Sequence, residues 1–193
     1  MKYYAFLLFS LIWLAAPIIL RAQSKPVVLV AYYSPSGHTK IMAEAVAKGA
    51  ESGEVEVVLK PITETTEDDL LRAGAIILGS PVYNANIAPA VQEFINSWPF
   101  EARPMKDKIG AAFATGGGIS IGEELVMLNI IHSMLIHGMI IIGGEETEAA
   151  FGASAITGEG EFAGKPVQEV FLIKAEGLGR RVAEMVVKLD TSP

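Results

Sequence analysis

Residues 27–50 constrain the fold of this chain most, because an apolar strand pattern, a short polar loop and a helical pattern follow one another without a gap. The run 27–33 is rich in valine and lacks polar alternation, which is typical of a strand buried on both faces. Loop 34–39 carries three hydroxyls and a glycine, and helical spacing begins at Thr39. The first N–H groups of a helix lack internal partners and attract anions. The loop is therefore a candidate phosphate-binding site.

Strand and helix patterns alternate through the rest of the chain from residue 25. Five strands are predicted, at residues 27–33, 54–62, 75–79, 108–114 and 139–143. Helices are predicted at residues 39–52, 68–73, 89–98, 122–137 and 167–189, and a long irregular segment at residues 145–166. This alternation predicts an α/β three-layer sandwich with a five-stranded parallel sheet and helices on both faces.

The overall composition excludes several classes of function. The chain has 193 residues, no cysteine and a formal net charge of −7. Without cysteine there is no thiol catalysis, no disulfide and no iron–sulfur cluster. The negative charge argues against nucleic acid as a partner, because no basic surface is available to neutralise phosphates. The three histidines are not spaced as metal ligands, so no metal site is predicted.

The first 24 residues form a separate unit. A lysine at position 2 precedes the apolar run 3–20, and Ala22 offers a small residue for cleavage. This pattern predicts either a signal peptide or an uncleaved membrane anchor at residues 1–24, followed by a domain at residues 25–193. The protein is then expected to be exported, or to associate with a membrane through residues 3–20.

Three loops follow the carboxyl ends of predicted strands, at residues 34–39, 80–86 and 115–122. Ligands of open parallel sheets bind beyond these strand ends, so the three loops are expected to meet at one edge. Loop 34–39 lacks the lysine and the spacing of a nucleoside-triphosphate loop. Its neutral hydroxyls and amides suit a single phosphate monoester, although an ordinary capping turn remains an alternative.

The other two loops suit the remainder of a flat ligand. Loop 80–86 contains Tyr83 and two asparagines, which match a planar heterocycle with polar edges. A half-buried aromatic residue at the rim is the alternative for Tyr83. Loop 115–122 is rich in glycine, which lets backbone N–H groups approach a ligand closely. The alternative there is a flexible turn.

These motifs together resemble the flavodoxin-like NAD(P)H:quinone oxidoreductases of the tryptophan-repressor-binding (WrbA) type, within the NADPH-dependent FMN reductases. The resemblance covers residues 26–189. It rests on YYSPSGHTKIMAEAVAKGA at 32–50, GSPVYNANIAPAVQEFI at 79–95, KIGAAFATGGG at 108–118, HGMIIIGG at 137–144 and FGASAITGEGE at 151–161. It implies the flavodoxin-like strand order 2-1-3-4-5, FMN as cofactor and NAD(P)H as co-substrate. It also implies ping-pong reduction of a quinone or small aromatic acceptor, and a dimer or tetramer.

The resemblance also implies roles for individual residues. The matching phosphate loop consists of Ser34, Ser36, Gly37, His38 and Thr39. Residues beside the flavin ring are Pro81, Val82, Tyr83, Asn84 and Asn86 on one edge, and Thr115, Gly116, Gly117 and Gly118 on the other. His137 matches a histidine that hydrogen-bonds quinone or flavin. From the residues alone, His137 is equally well explained as the end of a helix, where its ring would interact with the helix dipole.

Two departures from the family pattern leave an alternative function open. Tyr83 and Asn84 stand where the family commonly has an arginine and an aromatic residue, so a positive charge beside the flavin is missing. The apolar run 3–20 is foreign to a cytoplasmic family. The alternative is an exported flavodoxin-like electron carrier or FMN-binding protein that does not react with nicotinamide nucleotides.

Overall fold

The computed structural model describes residues 24–190, so the predicted signal peptide or anchor lies outside the described residues except for Ser24. The strands are β1 Val27–Tyr32, β2 Glu56–Pro61, β3 Ala73–Tyr83, β4 Asn86–Ile87, β5 Ile109–Gly116, β6 Ile140–Ile141 and β7 Ala153–Ile156. The α-helices are α1 His38–Ala50, α2 Glu67–Arg72, α3 Pro89–Asn96, α4 Glu123–Ile136 and α5 Glu169–Asp190. Two short 3₁₀ turns, Thr147–Ala149 and Gly160–Phe162, lie between β6 and α5.

A parallel sheet with helices on both faces confirms the predicted α/β class. Strands β3 and β5 are central, and every residue of β5 is buried. One hydrophobic core joins the sheet to α1 and α5, and a second joins it to α2, α3 and α4. This two-sided burial explains why the central strands consist of continuous apolar runs.

The predicted count of five strands is wrong, because the sheet has seven. The order also differs from the predicted 2-1-3-4-5. It runs β2-β1-β3-β5-β6, with β4 antiparallel to β3 and β7 parallel to β5. Of the strand predicted at residues 139–143, only the two residues of β6 form a strand, and they pair with the start of β5. Strand β7 pairs with the last four residues of β5. Segment 145–166, predicted to be irregular, thus contributes a strand.

Helices α1 and α5 cross at a pair of glycines. A Cβ atom on Gly179 would overlap the carbonyl oxygen of Val46, and one on Gly49 would overlap that of Glu176. Glycine therefore lets the two backbones touch, which presses α1 onto the sheet and holds its first turn at the carboxyl end of β1. None of the helices between residues 24 and 190 is long and apolar enough to cross a membrane.

A capping box forms the start of α2 and contains a carboxyl group, that of Asp69, with a lowered pKa. The Asp69 carboxylate accepts from Lys60 Nζ at 2.8 Å and from the Thr66 backbone N–H at 2.8 Å, while Thr66 Oγ1 accepts from the Asp69 N–H at 3.2 Å. The Lys60 hydrogen bond, followed by that of Thr66, lowers the pKa of Asp69 from 3.8 to about 2. The folded state therefore favours the ionised carboxylate.

Replacing Asp69 with asparagine is expected to destabilise the protein at pH 7 but hardly at all near pH 2. The pKa of Asp69 is lower in the folded state than in the unfolded state. The ionised carboxylate therefore contributes fully to the free energy of unfolding above about pH 4, and this contribution is lost as the pH falls through 2. We expect a loss of about 1–2 kcal/mol at pH 7, measured by urea unfolding of both proteins. Asp68→Asn, in the same helical turn but exposed, is the control. An Asp69→Asn effect of equal size at both pH values would contradict this assignment.

Candidate functional site

A cleft opens at the edge where β1, β3 and β5 end. Its volume is about 380 Å³. Parts of all three predicted loops line it, together with a segment that follows β7. The lining residues are Pro35, Ser36, His38, Pro81, Val82, Tyr83, Thr115, Gly117, Thr157 and Gly158. The structure therefore brings the three loops together, in a concave space of the size that small-molecule ligands occupy.

The first loop leaves the start of α1 open. Gly37 is the N-cap residue with φ of 90°, and no side chain caps the helix there. Ser34 Oγ accepts from the backbone N–H of Lys40 at 2.9 Å, which satisfies a later amide of the same turn. Ser36 Oγ and His38 Nδ1 lie 3.3 Å apart at the cleft. The uncapped helix start, with hydroxyl groups beside it, is an anion cradle without a fixed positive side chain.

A buried hydrogen bond joins the first loop to the third. The hydroxyls of Thr39 and Thr115 lie 2.7 Å apart, and the two residues are 1% and 4% exposed. Both residues were predicted to contact the ligand through these loops. Their hydroxyls bind each other and so link the phosphate loop to the glycine loop, and Thr115 also lines the cleft. Contact of either residue with a ligand is still only a prediction.

The second loop is a tight hairpin between β3 and β4. Asn84 and Ala85 have φ of 49° and 60°, as a two-residue turn with a left-handed backbone requires. The side chain of Asn86 donates to the Asn84 carbonyl at 3.4 Å and accepts from Asn129 Nδ2 at 3.1 Å. Asn86 therefore ties the hairpin to α4. Tyr83 lines the cleft and is 41% exposed, so its ring is available to a planar ligand.

The third loop is covered by residues that sequence reasoning did not select. Thr157 donates to the Gly116 carbonyl from its backbone N–H at 2.8 Å and from its hydroxyl at 3.0 Å. Glu159 accepts from the Ile119 N–H at 2.7 Å. Thr157 and Gly158 thus form part of the wall of the cleft. The sequence feature that could have indicated Thr157 and Gly158 is the glycine-rich run 151–161. This run contains β7, and the two residues directly follow that strand at the edge of the sheet.

A buried carboxylate lies behind the glycine loop. Glu123, the first residue of α4, is 8% exposed, and its Oε1 has no hydrogen-bond partner within residues 24–190. A Cβ atom on Gly116 would overlap that oxygen, so glycine at position 116 makes room for the carboxylate. A Cβ on Gly118 would come within 2.8 Å of a Glu159 oxygen, so that carboxylate would have to move.

His137 is not brought to this cleft within one chain. It follows α4, whose 14 residues extend about 20 Å away from the edge where Glu123 lies. Its ring packs against Trp98 and Phe100, with centroid distances of 5.5 and 5.2 Å. Burial lowers the pKa of His137. Its role beside a quinone or flavin is therefore still only a prediction.

The chemistry of the cleft fits FMN. The open α1 start and the Ser36 hydroxyl suit a phosphate monoester, and the exposed face of Tyr83 suits a planar ring. Nothing lies within 4 Å of where a Cβ on Gly117 would stand, so the backbone at this edge is open to a ligand. No lysine or arginine is among the residues that line the cleft, which disfavours a triphosphate.

Fold and cleft together define a flavodoxin-like α/β protein with a mononucleotide-type site beyond the parallel strands. The model of the NADPH-dependent FMN reductase family matches residues 58–154. An NAD(P)H dehydrogenase (quinone) of Sinorhizobium fredii is 31% identical, over 84% of this chain and 98% of its own length. A flavodoxin of Aquifex aeolicus is 33% identical, over 82% of this chain and 86% of its own length.

A solved structure agrees with these sequence relatives. The flavodoxin-type, WrbA-like protein of Agrobacterium tumefaciens superimposes with a TM-score of 0.67 and 25% identity, over 86% of this chain and 99% of that chain. The chain belongs to the NADPH-dependent FMN reductase family. It is an oxidoreductase of that family.

Proposed function

We propose that this protein uses FMN to carry out the two-electron reduction of quinones or similar small aromatic acceptors by NAD(P)H in a ping-pong cycle. The observation that carries the proposal is the cleft itself, where residues at the start of α1 and the exposed Tyr83 ring line one small space. Relatives named NAD(P)H dehydrogenase (quinone) align with this chain over almost their whole length, which supports the same reaction.

The residues of the chain bind and orient, and FMN when bound supplies the capacity to accept a hydride and pass on two electrons. The N–H groups at the start of α1 and the Ser36 hydroxyl would hold the phosphate. Tyr83 and the backbone of Gly117 would bind the ring. The Thr39–Thr115 hydrogen bond fixes the distance between these groups. None of the residues that line the cleft is lysine, arginine, aspartate or glutamate, so its polar groups are hydroxyls, the His38 ring and backbone amides.

Anaerobic stopped-flow absorbance tests the proposed function. Mixing the FMN-loaded protein with NADH or NADPH is expected to bleach the flavin band within seconds, and a later addition of benzoquinone is expected to restore it. Dithionite is the control for a flavin that can be reduced. Bleaching by dithionite but by neither nucleotide would exclude the reductase.

A second function is favoured by one specific observation. The Aquifex aeolicus relative is named flavodoxin, and its 33% identity exceeds the 31%, 28% and 29% of the three relatives named NAD(P)H dehydrogenase (quinone). The alternative is therefore an electron carrier that exchanges electrons with a protein partner. A protein that dithionite bleaches and both nucleotides leave unchanged would be assigned to this function.

A further inference from the structure

Three large aliphatic side chains are exposed beside the cleft, where the chain passes from the glycine loop into α4. Ile119, Ile121 and Leu125 are 56%, 39% and 47% exposed, and we call this group the apolar rim. Ile119 and Leu125 also line a second pocket of about 410 Å³, to which β7 contributes Ile156. Exposed aliphatic side chains gathered in one place are typical of a surface that binds a ligand. The binding of FMN proposed above does not use them.

The apolar rim meets the cleft at the glycine loop. A Cβ atom on Gly118 would come within 2.9 Å of Ile121 Cγ2, so the Ile121 side chain packs against the neighbour of Gly117, which lines the cleft. Nothing lies within 4 Å of where a Cβ on Gly117 would stand. Ile156 and Thr157 are adjacent in the chain, and they line the second pocket and the cleft respectively. The two spaces are therefore neighbours, and Gly117 places no side chain between them.

The other end of segment 119–122 rests on the hairpin between β3 and β4. A Cβ atom on Gly122 would come within 2.8 Å of the Cα and the Cβ of Ala85, which lies in the turn of that hairpin. Tyr83, in the same hairpin, lines the cleft. Ser120 and Gly122 have φ of 57° and 114°, so the chain turns sharply here. The segment thus contacts both the glycine loop and the hairpin, the two loops that wall this part of the cleft.

Charged residues around the apolar rim limit the kind of group that binds there. Glu159 accepts from the Ile119 N–H at 2.7 Å, and Glu124 lines the second pocket. Neither the cleft nor the second pocket has lysine or arginine among its lining residues. A negatively charged group at the rim would be repelled by these carboxylates and would find no cation. The rim therefore suits an uncharged, apolar group.

We propose that the apolar rim binds the aliphatic tail of a neutral quinone whose ring enters the cleft, so that Ile119 and Ile121 select acceptors with a tail. The inference rests on the proposed reductase function and specifies its class of acceptor. The tail leaves the cleft past Gly117 and lies against the two isoleucines, where its methylene groups are removed from water. Full burial of one methylene group strengthens binding by about fourfold.

Binding to the oxidised, FMN-loaded full-length chain tests the apolar rim without turnover. The probes are dimethoxymethylbenzoquinone, which has no tail, its pentyl derivative and its carboxypentyl derivative. The pentyl derivative is expected to bind at least about tenfold more tightly than the tailless quinone and to shift the amide resonances of Ile119 and Ile121 in ¹H–¹⁵N spectra. The carboxypentyl derivative is expected to lose most of that gain, because its carboxylate would lie near Glu124 and Glu159. A smaller gain from the pentyl tail, or equal binding of the two tailed probes, would overturn the proposal.

Failure of the reductase and failure of this proposal give different results. The binding measurements contain no nucleotide, so a flavin that neither NADH nor NADPH bleaches excludes the reductase and leaves the tail measurement unaffected. A flavin that is bleached, together with equal binding of the pentyl and tailless quinones, would retain the reductase and overturn the role of the apolar rim.

A double substitution then assigns tail binding to the apolar rim. Ile119→Ser combined with Ile121→Ser is expected to reduce the gain from the pentyl tail to less than about threefold. Leu71→Ser is the matched control, because Leu71 is also exposed, at 43%, and its carbonyl accepts from Lys108 just before β5, at the opposite edge of the sheet. The control is expected to keep the full gain, and equal losses in both proteins would overturn the assignment. Should the double variant fail to fold, the three probes on the unaltered chain still decide the proposal.

Discussion

Replacing Gly37 with valine is expected to abolish retention of FMN. Gly37 has φ of 90°, a conformation that a β-branched residue adopts only with strain of about 1–3 kcal/mol. Relief of that strain would turn the first N–H groups of α1 away from the proposed phosphate position. We expect the Kd for FMN to rise at least about 100-fold, measured by quenching of flavin fluorescence during reconstitution.

Gly164→Val is the matched control for this substitution. Gly164 also has a positive φ, of 67°, and nothing lies within 4 Å of where its Cβ would stand, but it lies between the 3₁₀ turn Gly160–Phe162 and α5 rather than at the start of α1. It should cost similar backbone strain and leave FMN binding intact. A Gly37→Val protein that purifies fully loaded with FMN would show that the phosphate lies elsewhere.

Replacing Gly179 with alanine is expected to lower the free energy of unfolding by about 3 kcal/mol. The added methyl group would overlap the carbonyl oxygen of Val46 in α1, and a backbone atom cannot rotate away as a side chain can. The two helices must separate, which disturbs the core on that face of the sheet. For a chain of this length we expect the midpoint of thermal unfolding to fall by about 6–12 °C, measured by circular dichroism.

The same substitution two residues earlier in α5 provides the comparison. A Cβ on Gly177 would meet only the carboxylate of Glu145, at 3.0 Å, and that side chain can move. Gly177→Ala should therefore leave stability unchanged, or raise it by up to about 1 kcal/mol through helix propensity. A Gly179→Ala protein as stable as Gly177→Ala would contradict the close crossing of α1 and α5.

The helices and central strands were predictable because their patterns are local. The runs that became β1, β3 and β5 are apolar on both faces, and α1, α3, α4 and α5 carry helical spacing over at least two turns. The two strands at this edge of the sheet, β6 and β7, were not predictable in the same way. Strand β7 has only four residues, two of them alanine, and becomes a strand because it pairs with the end of β5. Such pairing has no local signature.

The candidate site was also predictable only in part. The three loops could be placed at one edge because parallel strands present their carboxyl ends together. Which side chains face a ligand there was not predictable from spacing. Thr39 and Thr115 bind each other and Asn86 binds Asn129, while Thr157 joins Thr115 in the wall of the cleft. Hydrogen-bond partners distant in sequence decide these orientations.

By itself, the sequence determined the α/β class, predicted a phosphate-binding loop after β1 and carried the motifs that resemble a flavin-dependent family. The first two follow from short-range order: residue type, periodicity and the succession of a strand, a glycine-containing loop and a helix. Only the tertiary structure decided that His137 packs against Trp98 away from the cleft, that Thr157 and Gly158 line the cleft, and that Glu123 Oε1 is buried with no hydrogen-bond partner within residues 24–190. These features depend on where elements far apart in the chain come into contact, and short-range order does not encode that.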